Sequence, residues 1–188
     1  MKKFKEPFLE KFLRYLRAKI VISCLGGSKI ICDIGCGFNA YFLSKVKKII
    51  TKGYGIDKKV NIKETGNIIL EKAEFFNYLP FKDNYFDAVT LIAVLEHLKD
   101  YKPIIKEIYR ILKPKGLLII TTPTTQAKKI LEFLAYKLQI LNKEEIKEHS
   151  QYFSKNKIVD LLEKNRFVIK KYAYFEFKLN SITVASKN

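Results

Sequence analysis

The stretch Ile30-Ile31-Cys32-Asp33-Ile34-Gly35-Cys36-Gly37 decides how the rest of this chain is read. A short apolar run closes on a carboxylate, a Gly-x-Gly turn follows, and the residues through about Lys48 carry helical spacing. Strand, tight turn and helix in that order open an α/β unit. Glycine is needed at such a turn because the backbone must bend sharply and come close to a ligand, and the N-terminus of the following helix favours an anionic group.

Working outward, Tyr54-Gly55-Ile56 forms a second short strand that ends at Asp57, 20 residues after Gly37. That is about the ~20-residue offset at which an acid accepts hydrogen bonds from a ribose diol. The third glycine of a dinucleotide fingerprint is absent, so a pyrophosphate cradle is not supported. An adenosine ligand without phosphates still uses the glycine turn and the diol acceptor, and Asp33 suits a ligand ammonium group. Those requirements point to S-adenosylmethionine.

The alternation continues downstream. Asn67 to Leu70 begins a third strand running toward Glu74, Phe86 to Ile92 reads as a buried fourth, and Pro103 to Leu112 as a helix with proline in its first turn. Lys113-Pro114-Lys115-Gly116 stops that helix, and Leu117 to Thr121 is the fifth strand. A helical stretch at 124–150 (Ile130, Phe133, Leu134, Leu138, Leu141) interrupts the pattern and reads as a lid or substrate element. Ser154 suits the N-cap of a helix through Lys164, and Phe167 to Tyr174 with Ser181 to Ala185 reads as a terminal hairpin. The expectation is a single α/β domain over 1–188: a doubly wound, mostly parallel seven-stranded sheet with a C-terminal antiparallel hairpin. Its cofactor core spans 29–123, flanked by an N-terminal helix within 1–28, the lid region at 124–153, and a helix with the hairpin at 154–188.

Five ordered motifs over about residues 29–123 then carry a resemblance: ICDIGCG at 31–37, GID at 55–57, LPFKDNYFDAVT at 79–90, VLEHL at 94–98 and EIYRILKPKGLLIITTP at 107–123. The sequence resembles a class I S-adenosylmethionine-dependent methyltransferase of the small type 11 group, which includes ubiquinone and menaquinone biosynthesis-like enzymes. The resemblance implies a Rossmann-like fold, S-adenosylmethionine as cofactor and S-adenosylhomocysteine as product. It implies that Asp33, Gly35, Cys36 and Gly37 surround the methionine moiety and that Asp57 holds the ribose hydroxyls. It places Glu74 and Phe75 at the adenine, Glu74 accepting from the amino group, with Ile92 and Ala93 bordering the cofactor. His97, His149 and Tyr152 are the candidates on the acceptor side: the EHSQYF segment at 148–153 resembles one that brings residues over the pocket in relatives.

Absences narrow the chemistry. No Asn-Pro-Pro-Tyr or Asp-Pro-Pro-Tyr follows the fourth strand, which disfavours base N-methylation of that type. No Pro-Cys or Thr-Cys nucleophile occurs there for covalent C5-pyrimidine transfer. Cys24, Cys32 and Cys36 lack metal-ligand or paired spacing and read as reduced thiols, so no metal is expected.

Of the 188 residues, 48% are hydrophobic and 29% charged, a globular balance with no apolar run long enough to cross a membrane. The net charge is +17. Residues 1–22 hold seven basic against two acidic residues, arranged as a basic amphipathic helix around Phe4, Phe8, Phe12, Tyr15, Leu16 and Ile20. Only Arg14, Arg17, Arg110 and Arg166 among the 36 basic residues are arginine, so a solvated lysine surface is favoured over a nucleic-acid footprint. The expected protein is a cytoplasmic monomer or homodimer that methylates a small-molecule or lipid-like acceptor. Two rivals stay open: an RNA methyltransferase using the basic surface, and a non-catalytic binding protein of the same fold.

Overall fold

Alternation of side chains along the strands divides the core into two layers. The structure is a computed structural model that describes residues 8–60, 63–73, 78–128, 130 and 150–188. Its strands are β1 (Ile30–Ile34), β2 (Lys52–Asp57), β3 (Lys63–Thr65), β4 (Ile68–Lys72), β5 (Phe86–Ile92), β6 (Leu112–Pro123), β7 (Phe167–Phe175) and β8 (Asn180–Lys187). The helices are α1 (Phe8–Ile22), α2 (Tyr41–Val46), α3 (Lys102–Ile111) and α4 (Lys155–Lys164). One sheet face carries Cys32, Ile34, Ile56, Val89, Leu91 and Ile120, which pack with Ile104, Ile105 and Ile108 of α3 and Ile158 and Leu162 of α4. The other carries Ile31, Ala88, Ile119, Ile182 and Val184 against Ala18 and Val21 of α1 and Phe42, Leu43 and Val46 of α2.

The described strands form one eight-stranded sheet in the order β3-β4-β2-β1-β5-β6-β8-β7. Strands β4, β2, β1, β5 and β6 run parallel, whereas β8 is antiparallel to both β6 and β7. The chain winds from β1 outward to β4 and then restarts on the other side at β5, so a crevice opens beyond the carboxyl ends of β1 and β5. The C-terminal hairpin matches the expectation.

One strand beyond the expected seven is present. Lys63–Thr65 pairs antiparallel with Ile68–Leu70 across the Gly66-Asn67 turn. All three of its side chains are exposed, so it offers no alternation of apolar and polar positions to read. Strand β4 ends at Lys72 and β6 begins at Leu112, because Leu112 pairs with Phe86 across an irregularity in the ladder. Glu74, toward which β4 is expected to run, and the helix at 124–150 except for 124–128, 130 and 150, lie outside the described residues.

Local chemistry explains the elements flanking the site. Ile104, Ile105, Ile108 and Ile111 recur at helical spacing and bury one stripe of α3, with Pro103 in its first turn. Ser154 caps α4 by accepting from Lys157 N (3.3 Å). Gly53 and Gly55 let α2 lie close on β2: a Cβ at Gly55 would meet Leu43 and Leu70 side chains and Cys36 Sγ at 2.7–2.9 Å. Arg110 clasps the segment leading into β5, donating to Leu79 O (2.9 Å), Phe81 O (2.8 Å) and Asp83 Oδ1 (2.7 Å) while paired with Glu107.

Candidate active site at the carboxyl edge

Asp33, next to last in β1, lies beside its register partner Thr90 on β5, both on the face that α1 and α2 cover. Thr90 Oγ1 donates to Asp33 Oδ1 (2.6 Å). Asp33 is 2% exposed and has no ion pair among the described residues. Burial pushes its carboxyl up to about 7; the Thr90 bond opposes that shift and the nearby Asp57 charge adds to it. A buried carboxylate in this position has an unmet demand for a cation.

The next residues turn back over β2. Gly35 and Gly37 take φ of 75° and 71°, values that side-chain-bearing residues adopt at a cost. Gly35 N donates to Ile56 O (2.7 Å), holding the turn to β2. The two glycines differ in what surrounds them. A Cβ at Gly35 would lie 2.4 Å from Val94 Cγ2, whereas one at Gly37 would meet nothing within 4 Å. The open side of Gly37 therefore leaves room for a ligand to approach the backbone. Cys36 between them is buried, and its side chain packs toward Gly55.

Asp57, at the end of β2, accepts from Gly37 N at Oδ2 (2.9 Å) and from Lys59 N at Oδ1 (2.7 Å). The Gly37 amide is thus committed to a carboxylate of the fold rather than offered to a ligand anion. Each carboxylate oxygen still has accepting capacity, so Asp57 can bind a diol while it holds the turn.

Across the crevice, Ile92 ends β5 and Ala93 follows it. Ala93 sits at φ 56° and donates from its amide to Thr121 O and Oγ1, both at 3.1 Å. A left-handed alanine costs on the order of 1–3 kcal/mol, and here the bend presses Val94 against Gly35. A 3₁₀ turn (Leu95–His97) follows. Ser150 and Gln151 amides donate to Glu96 O (2.8 and 3.3 Å), and Gln151 Nε2 donates to Leu98 O (3.1 Å), so the 150–152 segment crosses this turn. The structure thereby brings half-buried His97 and Tyr152 to one edge, with Tyr152 packed against Ala127, as are Leu9, Leu13 and Leu179. His149, Glu74 and Phe75 lie outside the described residues.

Three charged groups here escape sequence reasoning. Glu96 is 1% exposed, and its Oε2 has no hydrogen-bond partner among the described residues. Burial pushes it up to about 7 against the pull of Arg17 on α1. Arg17 Nε also lies 3.8 Å from Glu176 Oε1 at the end of β7. The available signal for Glu96 is a carboxylate inside the apolar run VLEHL; Arg17 and Glu176 carry none, because residues 159 apart meet only in the fold. Among the described residues, no group of three His, Cys, Asp or Glu side chains has metal-holding geometry, and no helix is long and apolar enough to cross a membrane.

Comparison with known proteins follows the same outline. A family model described as "Methyltransferase domain" matches residues 1–171. The chain is 40% identical over 97 residues to an uncharacterized protein of Methanocaldococcus jannaschii, covering 48% of this chain and 39% of the relative. It is 36% identical over 112 residues to the demethylmenaquinone methyltransferase of Staphylococcus saprophyticus, covering 53% and 47% respectively. These matches span less than half the length of either relative. Among solved structures, a putative methyltransferase of Haloferax volcanii in complex with the Trm112 methyltransferase activator superposes with TM-score 0.71 at 15% identity over 97% of this chain and 98% of that one. A methyltransferase from Methanosarcina mazei superposes with TM-score 0.65 at 23% identity over 89% and 96%. At these identities the likeness concerns the fold.

Proposed function

The chain belongs to the class I S-adenosylmethionine-dependent methyltransferases, and from that premise we propose that it methylates a small-molecule or lipid-like acceptor bound under α1. When bound, S-adenosylmethionine supplies a methyl group already activated by its sulfonium. The protein's work is alignment and exclusion of water. Asp33, buried without a cation among the described residues, pairs with the ligand ammonium; the open face of Gly37 admits the ligand chain. Asp57 takes the ribose hydroxyls while keeping its bond to Gly37 N. Cys36 backs the turn by packing, Ile92 and Ala93 border the cofactor, and Glu74 and Phe75 serve the adenine.

The observation that carries the acceptor class is the apolar wall above the crevice. Leu9 and Leu13 of α1, Tyr152 and Leu179 pack there around the buried Ala127. A wall of that kind favours an uncharged or lipid-like nucleophile. The demethylmenaquinone methyltransferases among the relatives agree with this reading. Glu96, His97, His149 and Tyr152 are the acceptor-side groups, available to orient the nucleophile or take its proton.

The test is to incubate the protein with methyl-labelled S-adenosylmethionine and separated lipid, water-soluble small-molecule and RNA fractions. Label is expected in the lipid or small-molecule fraction. Label in RNA alone would overturn the acceptor class, and cofactor binding with no transfer to any fraction would turn the reading to a binding protein.

A further inference from the structure

The turn joining β7 to β8 is built against backbone preference. Glu176, Phe177 and Lys178 have successive φ values of 49°, 56° and 65°, three non-glycine residues in the left-handed region. Such conformations persist only where the surroundings hold them. Here Leu179 N donates to Glu176 O (3.0 Å), Thr124 N to Leu179 O (2.9 Å) and Thr124 Oγ1 to Lys178 O (2.9 Å). The result is to thrust Phe177 outward, 99% exposed. A phenylalanine presented to water on a strained, tied-down turn serves no packing purpose within the described chain.

Helix α1 continues the same surface. Leu16, Lys19, Ile20 and Ser23 face Phe175 and Glu176 across a shallow groove of about 350 Å³. On the helix's outer side Phe12 and Tyr15 are each 48% exposed, and Phe12 stands one turn before Leu16 at the rim of the groove. The exposed cations around this apolar strip are Lys11, Lys19 and Lys178. The two arginines of α1 are spent elsewhere: Arg14 lies over the Tyr41 ring at 4.6 Å, and Arg17 is drawn to Glu176.

We propose that the outer face of α1 and the β7–β8 turn form a docking surface for an anionic lipid membrane. Aromatic side chains flanked by lysines suit the headgroup boundary, where rings enter the interface and ammonium groups meet lipid phosphates. Among the described residues no helix is long and apolar enough to cross a bilayer, and in this proposal α1 lies along it. Charge complementarity favours this occupant over RNA, since the outward cations are point-like lysines without the arginine fork. Toward its N-terminal end α1 packs Leu9 and Leu13 against Ala127, the wall assigned to the acceptor crevice, so docking sets the mouth of that crevice at the interface. Purpose, though not binding, rests on the lipid-acceptor reading; vesicle binding needs no methyl transfer and is measured apart from it.

The chain contains no tryptophan, so Phe177→Trp gives a single reporter at the tip. With vesicles of phosphatidylcholine mixed with phosphatidylglycerol, its emission is expected to shift to shorter wavelength and to be quenched by bromine-labelled lipid. Vesicles of phosphatidylcholine alone should give a weaker response. In cosedimentation, Phe12→Ala with Phe177→Ala should weaken the partition by about 10-fold or more. Lys11→Glu with Lys19→Glu should do the same, while Lys82→Glu with Lys164→Glu, an equal change of net charge elsewhere, should have far less effect. All of these side chains are exposed, and unchanged melting temperatures confirm intact folds. The proposal is overturned if the indole emission of the Phe177→Trp variant ignores vesicles or if the two lysine pairs act alike. It is equally overturned if the aromatic pair leaves vesicle binding intact while abolishing self-association or RNA binding.

Discussion

Asp33→Asn separates what the buried carboxylate costs the fold from what it contributes to binding. In the folded protein Asp33 titrates at about 7, against an ordinary value of about 3.9 in an unfolded chain. A carboxyl raised in this way contributes stability that is complete below the unfolded value and is lost as pH climbs through the folded one. From those two values the ionised group costs the unligated fold about 2 kcal/mol at pH 5 and roughly 4 kcal/mol at pH 8. Asparagine keeps the shape and a partner for Thr90 but never ionises. The variant should therefore gain about 2–3 kcal/mol more over wild type at pH 8 than at pH 5, on the order of 5–10 °C in melting temperature. Asp87 and Glu107, both held below the usual carboxylate range, act in the opposite direction but have completed their contribution by about pH 5. Glu96 shares the direction of Asp33 and leaves part of the slope in the variant. Denaturant unfolding followed by circular dichroism, without cofactor, measures the difference. An equal stability change at both pH values would refute the reasoning. The same substitution should weaken S-adenosylmethionine binding about 10-fold or more, the loss of a charge-assisted partner for its ammonium.

Other expectations follow from the turn and its supports. Gly35→Ala should destabilise the protein by roughly 2–4 kcal/mol, adding a clash with Val94 to the left-handed penalty, whereas Gly37→Ala should cost only about 1 kcal/mol yet lower cofactor affinity; melting curves and titration calorimetry separate the two. Asp57→Ala should cost about 1.5–3 kcal/mol in cofactor binding, and calorimetry showing wild-type affinity would remove Asp57 from the site. Arg110→Ala, which strands Leu79 O and Phe81 O and unpairs Glu107, should lose roughly 2–4 kcal/mol in chemical unfolding without altering affinity for S-adenosylmethionine.

Those features of the site that backbone geometry dictates can be read from residue order alone. Gly35 and Gly37 mark a bend that few other residues tolerate, Asp57 closes a short strand at a fixed offset, and Pro103 and Ser154 mark helix starts. The strand Lys63–Thr65 escapes such reading because a fully exposed edge strand has no burial pattern; only the Gly66-Asn67 turn announces it. Thr90 stands out as a polar break in an apolar strand, but its bond to Asp33 depends on register between strands 57 residues apart. The Arg17–Glu176 contact is set entirely by tertiary packing. Glu96 shows the middle case: its position in an apolar run is visible in the sequence, while its lone buried oxygen needs the helix α1 placed over it.

The insertion of β8 between β6 and β7 has a consequence for how the chain is made. The buried stripe of α1, Ala18 and Val21, packs with Ile182 and Val184 of β8, which leave the ribosome roughly 160 residues later. At about 5–20 residues per second that delay is roughly 10–30 s. Throughout it the basic apolar helix has no complete core to join, and β6 presents an unpaired edge where its register with Ser181–Ser186 will later form. Until β8 closes the sheet and seats the first helix, that helix and the β6 edge both lack their native partners.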